Sequence, residues 1–207
     1  MNTGGASISA TPTQPEVELE KVEHTTSNNG IFKDTSTDAW YYEYLTDLVN
    51  KGIISGYEDG NFYPDKQVTR EEFLKMLIVA TNVELTDKVI EYSDVSANDW
   101  FAPYVYTAYT NGIAKGIGEN EFGAGMPISR QDMSVMIYNI TEPGFELSDD
   151  VGAFKDHISI SLYAINAVYA MKKIGVVNGY ENGEFKPNGN LTRAEAVKII
   201  SLITKLQ

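Results

Sequence analysis

The sequence predicts a mostly α-helical protein in which three helix–loop–helix repeats pack around a shared helical bundle with pseudo-threefold symmetry. Three observations support this fold class. A pattern of about sixty residues occurs three times after residue 30. Every copy contains a helix-start signal, and an amphipathic stripe follows that signal. A helix–loop–helix unit of this size cannot bury its apolar stripe alone, so we expect the three units to pack their stripes together.

The organisation of the chain follows from where the repeating pattern starts. Residues 1–30 are rich in Thr, Ser, Gly and Glu, contain Pro12 and Pro15, and show neither helical nor strand periodicity. Such a composition is typical of a flexible leader or linker. We therefore expect a leader at 1–30 and repeats at 31–90, 91–152 and 153–207, which together form one compact structural unit.

Each repeat presents the same elements in the same order. It opens with an aromatic–X–Asp tripeptide, and a second aromatic residue then precedes a short amphipathic helix. That helix ends at a glycine suited to the left-handed C′ position, and another glycine follows in the loop. A phenylalanine then leads to the start of a second helix. The equivalent residues are Asp34, Asp94 and Asp156; Trp40, Trp100 and Tyr163; Gly52, Gly112 and Gly175; Gly56, Gly116 and Gly179; and Phe62, Phe122 and Phe185.

The second helix of each repeat starts at a capping box that contains an arginine. In this signal the hydroxyl side chain accepts a hydrogen bond from an otherwise unpaired backbone N–H of the first turn. The acid three residues later accepts one from the backbone N–H of the hydroxyl residue. An arginine in the first turn faces the positive end of the helix dipole, which is unfavourable by roughly 0.3–1 kcal/mol. We hypothesise that the arginine and the free N–H groups beside it hold an anion, although pairing with a neighbouring acid would explain the arginine equally well. The boxes are Thr69-Arg70-Glu71-Glu72, Ser129-Arg130-Gln131-Asp132 and Thr192-Arg193-Ala194-Glu195.

The second helices are predicted to be amphipathic. Their apolar residues recur at helical spacing and fall on one face of each helix. The sequence does not tell which helix of each pair lies at the centre of the bundle. The apolar residues are Phe73, Leu74, Leu77 and Ile78 in repeat one; Met133, Met136, Ile137 and Ile140 in repeat two; and Val197, Ile199, Ile200 and Ile203 in repeat three.

The composition argues against several classes of function. The 207 residues include 29 acidic and 16 basic side chains, and the net charge of −13 argues against nucleic acid and anionic membranes as partners. The chain has no cysteine and two histidines, His24 and His157, so we expect neither a metal site nor a histidine-based catalytic dyad, and no cofactor. No apolar run reaches the roughly 18–20 residues of a membrane-spanning helix, so membrane insertion is not expected.

Longer strings of residues recur around these positions. Repeat one contains Phe32-Lys33-Asp34, Trp40-Tyr41-Tyr42, Gly52-Ile53-Ile54, Gly56-Tyr57-Glu58-Asp59-Gly60-Asn61-Phe62 and Thr69-Arg70-Glu71-Glu72. Repeat three contains Phe154-Lys155-Asp156, Gly179-Tyr180-Glu181-Asn182-Gly183-Glu184-Phe185 and Thr192-Arg193-Ala194-Glu195. In this order and spacing the strings resemble the surface-layer homology (SLH) domain family, and the resemblance covers residues 31–206.

The resemblance implies a structure and a role. Members of this family fold as a three-pronged helical spindle, and three tandem repeats act as a non-catalytic cell-wall anchor of an extracellular bacterial surface-layer (S-layer) or other surface protein. The implied partner is secondary cell-wall polysaccharide linked to peptidoglycan, and in many members the recognised group is a terminal pyruvylated N-acetylmannosamine. A pyruvyl carboxylate fits the anion hypothesis for the arginines.

In a body of three packed repeats the grooves between neighbours are the natural concave surfaces, and we expect the binding site there. There the arginines would bind the carboxylate, aromatic rings would stack on sugar faces, and glycines would let the backbone approach the ligand. Two alternatives stay open: the aromatic residue before the first helix would equally anchor that helix in the core, and the aspartate would cap the loop rather than contact a sugar. We favour core packing and loop capping. The expected site residues are Arg70, Arg130, Arg193, Asp34, Asp94, Asp156, Trp40, Trp100, Tyr57, Tyr180, Gly56, Gly116 and Gly179.

The second and third repeats depart from the family pattern. Repeat two has Ile117 in place of the tyrosine, Ala124 in place of the proline, and a shorter acid, Asp132, in its capping box. Repeat three has Tyr163 where the other repeats have tryptophan. We therefore expect the three grooves to be unequal in affinity.

Other functions are compatible with parts of the pattern. A glycosidase would need two carboxylates facing each other across a cleft, and no such pair stands apart from the turn and cap positions. A protein–protein module would assemble surface-layer protomers into a lattice. A related variant of the anchor would bind peptidoglycan directly. We favour the anchor that binds polysaccharide.

Overall fold

The regular secondary structure of the chain is helical. The computed structural model describes Met1 and residues 30–141 and 152–206, and the expected leader up to residue 29 otherwise lies outside the described residues. Two single-turn 3₁₀ helices, His157–Ser159 and Leu162–Ala164, precede the fifth α-helix, and β structure in these ranges is confined to isolated bridges. The predicted mostly α-helical class is confirmed. The α-helices are α1 (Tyr42–Asn50), α2 (Arg70–Ala80), α3 (Ala102–Thr110), α4 (Arg130–Thr141), α5 (Ile165–Lys173) and α6 (Arg193–Thr204).

The helices pair between repeats rather than within them. In the described ranges α1 packs on α6, α3 packs on α2, and α5 packs on α4. The first helix of each repeat therefore lies against the second helix of the preceding repeat, with repeat three preceding repeat one. Helix α2 also contacts α4 and α6. The second helices form the central bundle of the expected pseudo-threefold body, which answers the question that the sequence left open.

A closed ring of backbone hydrogen bonds joins the residues just before the central helices. The N–H of Val68 donates to the carbonyl of Leu191 at 2.9 Å, and the N–H of Leu191 donates to that of Ile128 at 3.1 Å. The N–H of Ile128 donates to the carbonyl of Val68 at 2.9 Å and closes the ring. All three side chains are fully buried. The ring holds the three helix starts at one end of the bundle, so none of the repeats is complete without the other two.

The predicted apolar stripes form the core. All the stripe residues of α2 and α6 are buried, as are Met133, Met136 and Ile137 of α4, whereas Ile140 is partly buried. Phe62, Phe122 and Phe185 are almost fully buried, and each ring packs on the aromatic residue that opens its own repeat. Full burial of one such side chain contributes about 1.5–3 kcal/mol. The ring-centroid distances are 5.9 Å for Phe32–Phe62, 5.9 Å for Tyr92–Phe122 and 5.3 Å for Phe154–Phe185.

The first helices end as the glycine pattern predicts. Gly52 has a φ of +68°, its N–H donates to the carbonyl of Val49, and the N–H of Ile53 donates to that of Leu48. This is the Schellman arrangement, which satisfies the last carbonyl groups of α1. Gly112 and Gly175 have φ values of +70° and +76° at the ends of α3 and α5. The glycines turn the chain toward the loops that line the candidate site.

Candidate functional site

Three grooves lie where repeats meet, and we number each groove after the repeat that supplies its loop. Every groove takes its loop and one helix face from that repeat, an arginine from the preceding repeat, and an aromatic side chain from the following repeat. The volumes are about 660, 550 and 720 Å³ for grooves 1, 2 and 3. Groove 1 includes residues 55–57, Glu72, Lys75, Arg193 and Trp100; groove 2 includes residues 115–117, Asp132, Val135, Arg70 and Tyr163; groove 3 includes residues 178–180, Glu195, Lys198, Arg130 and Trp40.

Each arginine reaches from its helix start into the next repeat and is held there by the loop. Its Nε donates to the carbonyl of the buried phenylalanine, and its guanidinium lies near the ring of that phenylalanine. Exposure of the three arginines is only 6–8%. A buried guanidinium with donors still available at the groove can hold a carboxylate in a fixed position. The Nε–oxygen distances are 2.9 Å for Arg193–Phe62, 2.8 Å for Arg130–Phe185 and 3.2 Å for Arg70–Phe122.

Most backbone N–H groups at the helix starts already have partners. The N–H of Arg193 donates to the carbonyl of Lys66, and that of Ala194 donates to the carbonyl of Pro64, both at 2.9 Å. The N–H of Glu195 donates to the Thr192 hydroxyl in a complete capping box. In repeats two and three the neighbouring repeat and the capping box supply the acceptors, so the hypothesis that free N–H groups hold the anion is wrong there. At the start of α2 the N–H of Glu71 has no such acceptor among the described residues. Equivalent 2.9 Å bonds join Arg70 to Met126 and Arg130 to Gly189.

The aspartates of the opening tripeptides hold the loops from behind. Asp34 accepts from the N–H groups of Phe62 and Tyr63, both at 2.7 Å. Because the carbonyl of Phe62 accepts from Arg193, Asp34 fixes the loop that fixes the arginine. Asp94 and Asp156 make the equivalent bonds in repeats two and three. The favoured capping role is what the structure shows for these residues, and a direct contact with a sugar stays a prediction.

The aromatic residues before the first helices lie in the grooves. Trp40, Trp100 and Tyr163 are 57%, 47% and 61% exposed, so the expectation that they pack in the core is wrong. The next residue anchors the helix instead: Tyr41 and Ala164 are buried, as 8% and 0% exposure show, so the residue before each of them faces outward. Exposed aromatic rings at a groove are suited to stack on the C–H faces of sugars.

The tyrosines of the loops lie between cations and an acid. The guanidinium of Arg193 lies 4.7 Å from the ring centroid of Tyr57. The hydroxyl of Tyr57 donates to Glu72 at 3.1 Å and accepts from the ammonium of Lys66 at 2.9 Å. The second carboxylate oxygen of Glu72 accepts from the N–H of Thr69 and caps α2. The same acid therefore fixes both the helix start and the groove tyrosine.

Groove 3 repeats this tyrosine arrangement. The guanidinium of Arg130 lies 4.8 Å from the ring centroid of Tyr180, and the hydroxyl of Tyr180 donates to Glu195 at 3.2 Å. The ammonium of Lys186 lies 4.5 Å from the same ring. Lys186 occupies a different position in its repeat from Lys66, so two sequence solutions place a lysine beside the groove tyrosine.

The loop glycines allow close approach of the backbone. A Cβ atom at Gly56 would lie 2.3 Å from the ring of Phe32, and one at Gly116 would lie 2.2 Å from the carbonyl oxygen of Glu121. Gly179 has a φ of +75° as well as a close contact with Phe154. These contacts lie within the fold, so they explain the glycines without a ligand. An approach of ligand to this backbone stays a prediction.

Groove 2 differs from the other two in its polar contacts. Ile117 replaces the loop tyrosine, and Tyr163 from the opposite wall donates to the free oxygen of Asp132 at 2.7 Å. Burial and this hydrogen bond raise the pKa of Tyr163 to about 12. The other oxygen of Asp132 lies 3.7 Å from the guanidinium of Arg70. The acid of groove 2 is therefore shared between the arginine and a side chain that crosses the groove.

The threefold motif that builds these grooves decides the family. The model of the S-layer homology (SLH) domain matches residues 31–74, 91–134 and 153–197. The chain belongs to the S-layer homology domain family. The resemblance drawn from the motifs is confirmed, and so is the expected location at the bacterial cell-wall surface, with surface-layer proteins among the relatives.

The relatives of this SLH chain include both enzymes and surface-layer proteins. Amylopullulanase of Thermoanaerobacterium thermosulfurigenes is 36% identical over 79% of the chain, and exoglucanase XynX of Acetivibrio thermocellus is 33% identical over 83%. The surface-layer 125 kDa protein of Lysinibacillus sphaericus is 36% identical over 54% of the chain. The matched segments span 9%, 16% and 10% of these relatives. The SLH chain thus corresponds to a small part of each of them.

The sequence interpretation missed two lysines of the SLH grooves. Lys75 and Lys198 face Trp100 and Trp40, with the ammonium nitrogens 5.3 and 5.9 Å from the ring centroids. They lie three residues after the capping acids Glu72 and Glu195. This shared position in repeats one and three is the sequence signal that would have found them. Repeat two has Val135 at the equivalent position.

Metal coordination and membrane crossing concern the described residues of the SLH chain as a whole. Among these residues no group of three or more His, Asp or Glu side chains is placed to hold a metal ion. No helix in the same ranges combines the length and the hydropathy that crossing a membrane requires. The candidate site consists of arginines, lysines and aromatic rings that line the three grooves.

Proposed function

We propose that this SLH chain is a non-catalytic anchor that binds secondary cell-wall polysaccharide in its inter-repeat grooves, at a terminal pyruvylated N-acetylmannosamine. Anchoring at the cell wall is the role of the family to which the chain belongs. The polysaccharide, its pyruvyl group and the groove residues are the proposed parts. The observation that carries them is a guanidinium at the base of each groove, 6–8% exposed, beside an exposed aromatic ring.

The chemistry of the grooves supports a ligand that is both anionic and sugar-like. A pyruvyl ketal presents a carboxylate next to a sugar ring. The guanidinium of a groove arginine would donate to the carboxylate, and its position is fixed by the bond from its Nε to a backbone carbonyl. The exposed rings of Trp40 and Trp100 would cover the sugar face.

The relatives support a role that is independent of catalysis. An amylopullulanase, an exoglucanase and a surface-layer protein have different overall functions, yet each contains a segment similar to this chain. A segment common to proteins of different function is best explained by a common role, and attachment to the cell wall is such a role. We propose that this chain likewise attaches a surface protein to peptidoglycan-linked polymer.

Calorimetric titration with wall polysaccharide, intact and after mild-acid removal of pyruvate, tests this function. We expect binding to the intact polymer and loss of binding when the pyruvate is removed. Equal binding to both polymers would contradict recognition of the pyruvyl group and would favour neutral sugar or peptidoglycan as the ligand. Absence of binding to either would contradict the anchor and favour a module that joins surface-layer protomers, which self-association of the chain without glycan would reveal.

Ionic strength gives a separate prediction. The net charge of −13 repels an anionic polymer at long range, whereas the arginines attract it within the groove. Salt at about 0.15 M screens charges beyond about 8 Å, so it weakens the repulsion more than the contact. We expect affinity to improve as salt is raised from low to moderate concentration. Titrations in a series of salt concentrations check this, and a steep fall in affinity over that range would contradict it.

A further inference from the structure

The three grooves differ in how the charge of the buried arginine is neutralised. The guanidinium of Arg130 lies 3.3 Å from the carboxylate of Glu195, and that of Arg70 lies 3.7 Å from Asp132. Arg193 in groove 1 is 8% exposed, and within the described ranges no carboxylate oxygen lies within 4.0 Å of it. Its hydrogen bonds go to the neutral carbonyls of Phe62 and Ser55. The guanidinium also lies against the rings of Tyr57 and Phe62, and Glu72 lines the same groove beyond ion-pair distance. Groove 1 therefore contains a buried cation with no carboxylate of the described residues in contact, and a bound anion would supply one.

A second cation faces groove 1 from the opposite wall. The ammonium of Lys75 packs against the rings of Trp100 and Tyr104, at 5.3 and 6.0 Å from their centroids. Among the described residues it has neither a hydrogen bond nor an ion pair. Burial lowers the pKa of Lys75, because the charged form is poorly solvated there. Lys75 would gain from a bound anion for the same reason as Arg193.

Groove 3 has only part of this arrangement. Lys198 occupies the position of Lys75, with its ammonium 5.9 Å from the ring of Trp40. The arginine of groove 3 is already paired with Glu195 at 3.3 Å. A ligand carboxylate would therefore have to share the guanidinium of Arg130 with a protein carboxylate. Groove 3 is expected to bind the same anion more weakly.

Groove 2 has a volume of about 550 Å³, but its own side chains compete with such an anion for Arg70. Val135 stands at the position of Lys75, so the second cation of groove 1 has no equivalent at this position. Asp132 brings a negative charge to within 3.7 Å of Arg70, and Tyr163 crosses the groove to donate to the same acid. An entering carboxylate would meet Asp132 and would have to displace the Tyr163 hydrogen bond.

We propose that groove 1 is the primary anion site of this chain, with Arg193 and Lys75 as its two cations, that groove 3 is a secondary site, and that groove 2 binds the anion least readily. This inference rests on the proposed function and assigns it to particular grooves. It makes Lys75 a residue that determines affinity. It also separates binding from stability, because in the free protein Lys75 contacts aromatic rings but no carboxylate of the described residues, and it would gain a carboxylate in the complex.

The test compares Lys75→Met with the matched control Lys198→Met in the full chain. Pyruvylated N-acetylmannosamine is titrated into each variant by calorimetry, and the thermal midpoint is measured without ligand. We expect Lys75→Met to weaken the tighter site about tenfold or more, with a thermal midpoint equal to or above that of the wild type. Lys198→Met is expected to leave the tighter site within about twofold. A combined Val135→Lys and Tyr163→Trp substitution is expected to add binding in groove 2.

The possible results separate this inference from the function on which it rests. Absence of binding by the wild-type chain would overturn the proposed function and this inference together. Binding by the wild type that survives Lys75→Met, or that falls more with Lys198→Met, would overturn the inference alone. A thermal midpoint lowered by several degrees in Lys75→Met would also overturn it, because the lysine would then be a structural residue.

Discussion

A chain that ends at residue 152 is expected not to fold. Removing repeat three takes α6 from α1 and α5 from α4, and it breaks the ring between Val68, Ile128 and Leu191. The apolar stripe of α6 alone contributes roughly 6–12 kcal/mol of burial, from Val197, Ile199, Ile200 and Ile203 at about 1.5–3 kcal/mol each. A whole domain is typically stable by only about 5–15 kcal/mol.

Circular dichroism and thermal denaturation of the truncated chain would check this expectation. The first two repeats alone should show low helicity and no cooperative transition. Residues 153–207, added as a separate polypeptide, should restore a cooperative transition. The contacts of α5 with α4, and of α6 with α1 and α2, are packing contacts that do not need a continuous chain. A truncated chain that unfolds cooperatively near the temperature of the full chain would show that the repeats are independent.

The substitution Asp94→Ala is expected to lower the free energy of unfolding by roughly 2–4 kcal/mol. The carboxylate of Asp94 accepts from the N–H groups of Phe122, Gly123 and Ala124 at 2.8, 2.6 and 2.7 Å. An alanine would leave these donors to partial solvation and would release the loop that holds Arg70. Denaturant unfolding measures the loss. Asp38→Ala, at an exposed position, is the control and should change stability by less than about 0.5 kcal/mol.

The same aspartate gives the stability of the chain a defined dependence on pH. Burial opposes the charged form, but the three backbone hydrogen bonds outweigh it and lower the pKa of Asp94 below its usual range. The contribution of Asp94 is therefore fully present above the unfolded pKa near 4 and is lost as the pH falls through the lowered pKa. Acid unfolding of Asp94→Ala should begin from a lower stability with a shallower slope in that window. An unchanged slope would show that Asp94 does not contribute to acid sensitivity.

The sequence was sufficient for features that depend on neighbouring residues. The capping boxes at Thr69 and Thr192, the left-handed Gly52 and the stripe of α2 were predicted because each is a local pattern of side chains and backbone. The inequality of the grooves also followed locally, from Ile117 and Tyr163, although their effect on affinity stays a prediction. Such features are encoded within a few residues of one another.

The features that the sequence did not predict are those that join distant residues. The pairing of α1 with α6 depends on a joint between the two ends of the described chain, and no local pattern encodes it. The contact between repeats one and three also supplies the carbonyl of Lys66 to the N–H of Arg193, so this N–H is not free although the sequence predicted that it would be. Trp40 and Tyr41 are adjacent aromatic residues, and only packing decides which of them faces the core.

The exchange of helices between repeats also has a consequence for how such a chain can arise. Each repeat contains both partners of the helix pair that joins neighbouring repeats. Its first helix packs on the second helix of the preceding repeat, and its second helix packs on the first helix of the following repeat. Three separate copies of a single repeat would satisfy the same contacts as a homotrimer with cyclic symmetry. In such a trimer every substitution appears three times, so its grooves must stay identical. Fusion into one polypeptide removes that restriction. Asp132 can then lie 3.7 Å from Arg70 in one groove, while Arg193 in another has no carboxylate within 4.0 Å among the described residues.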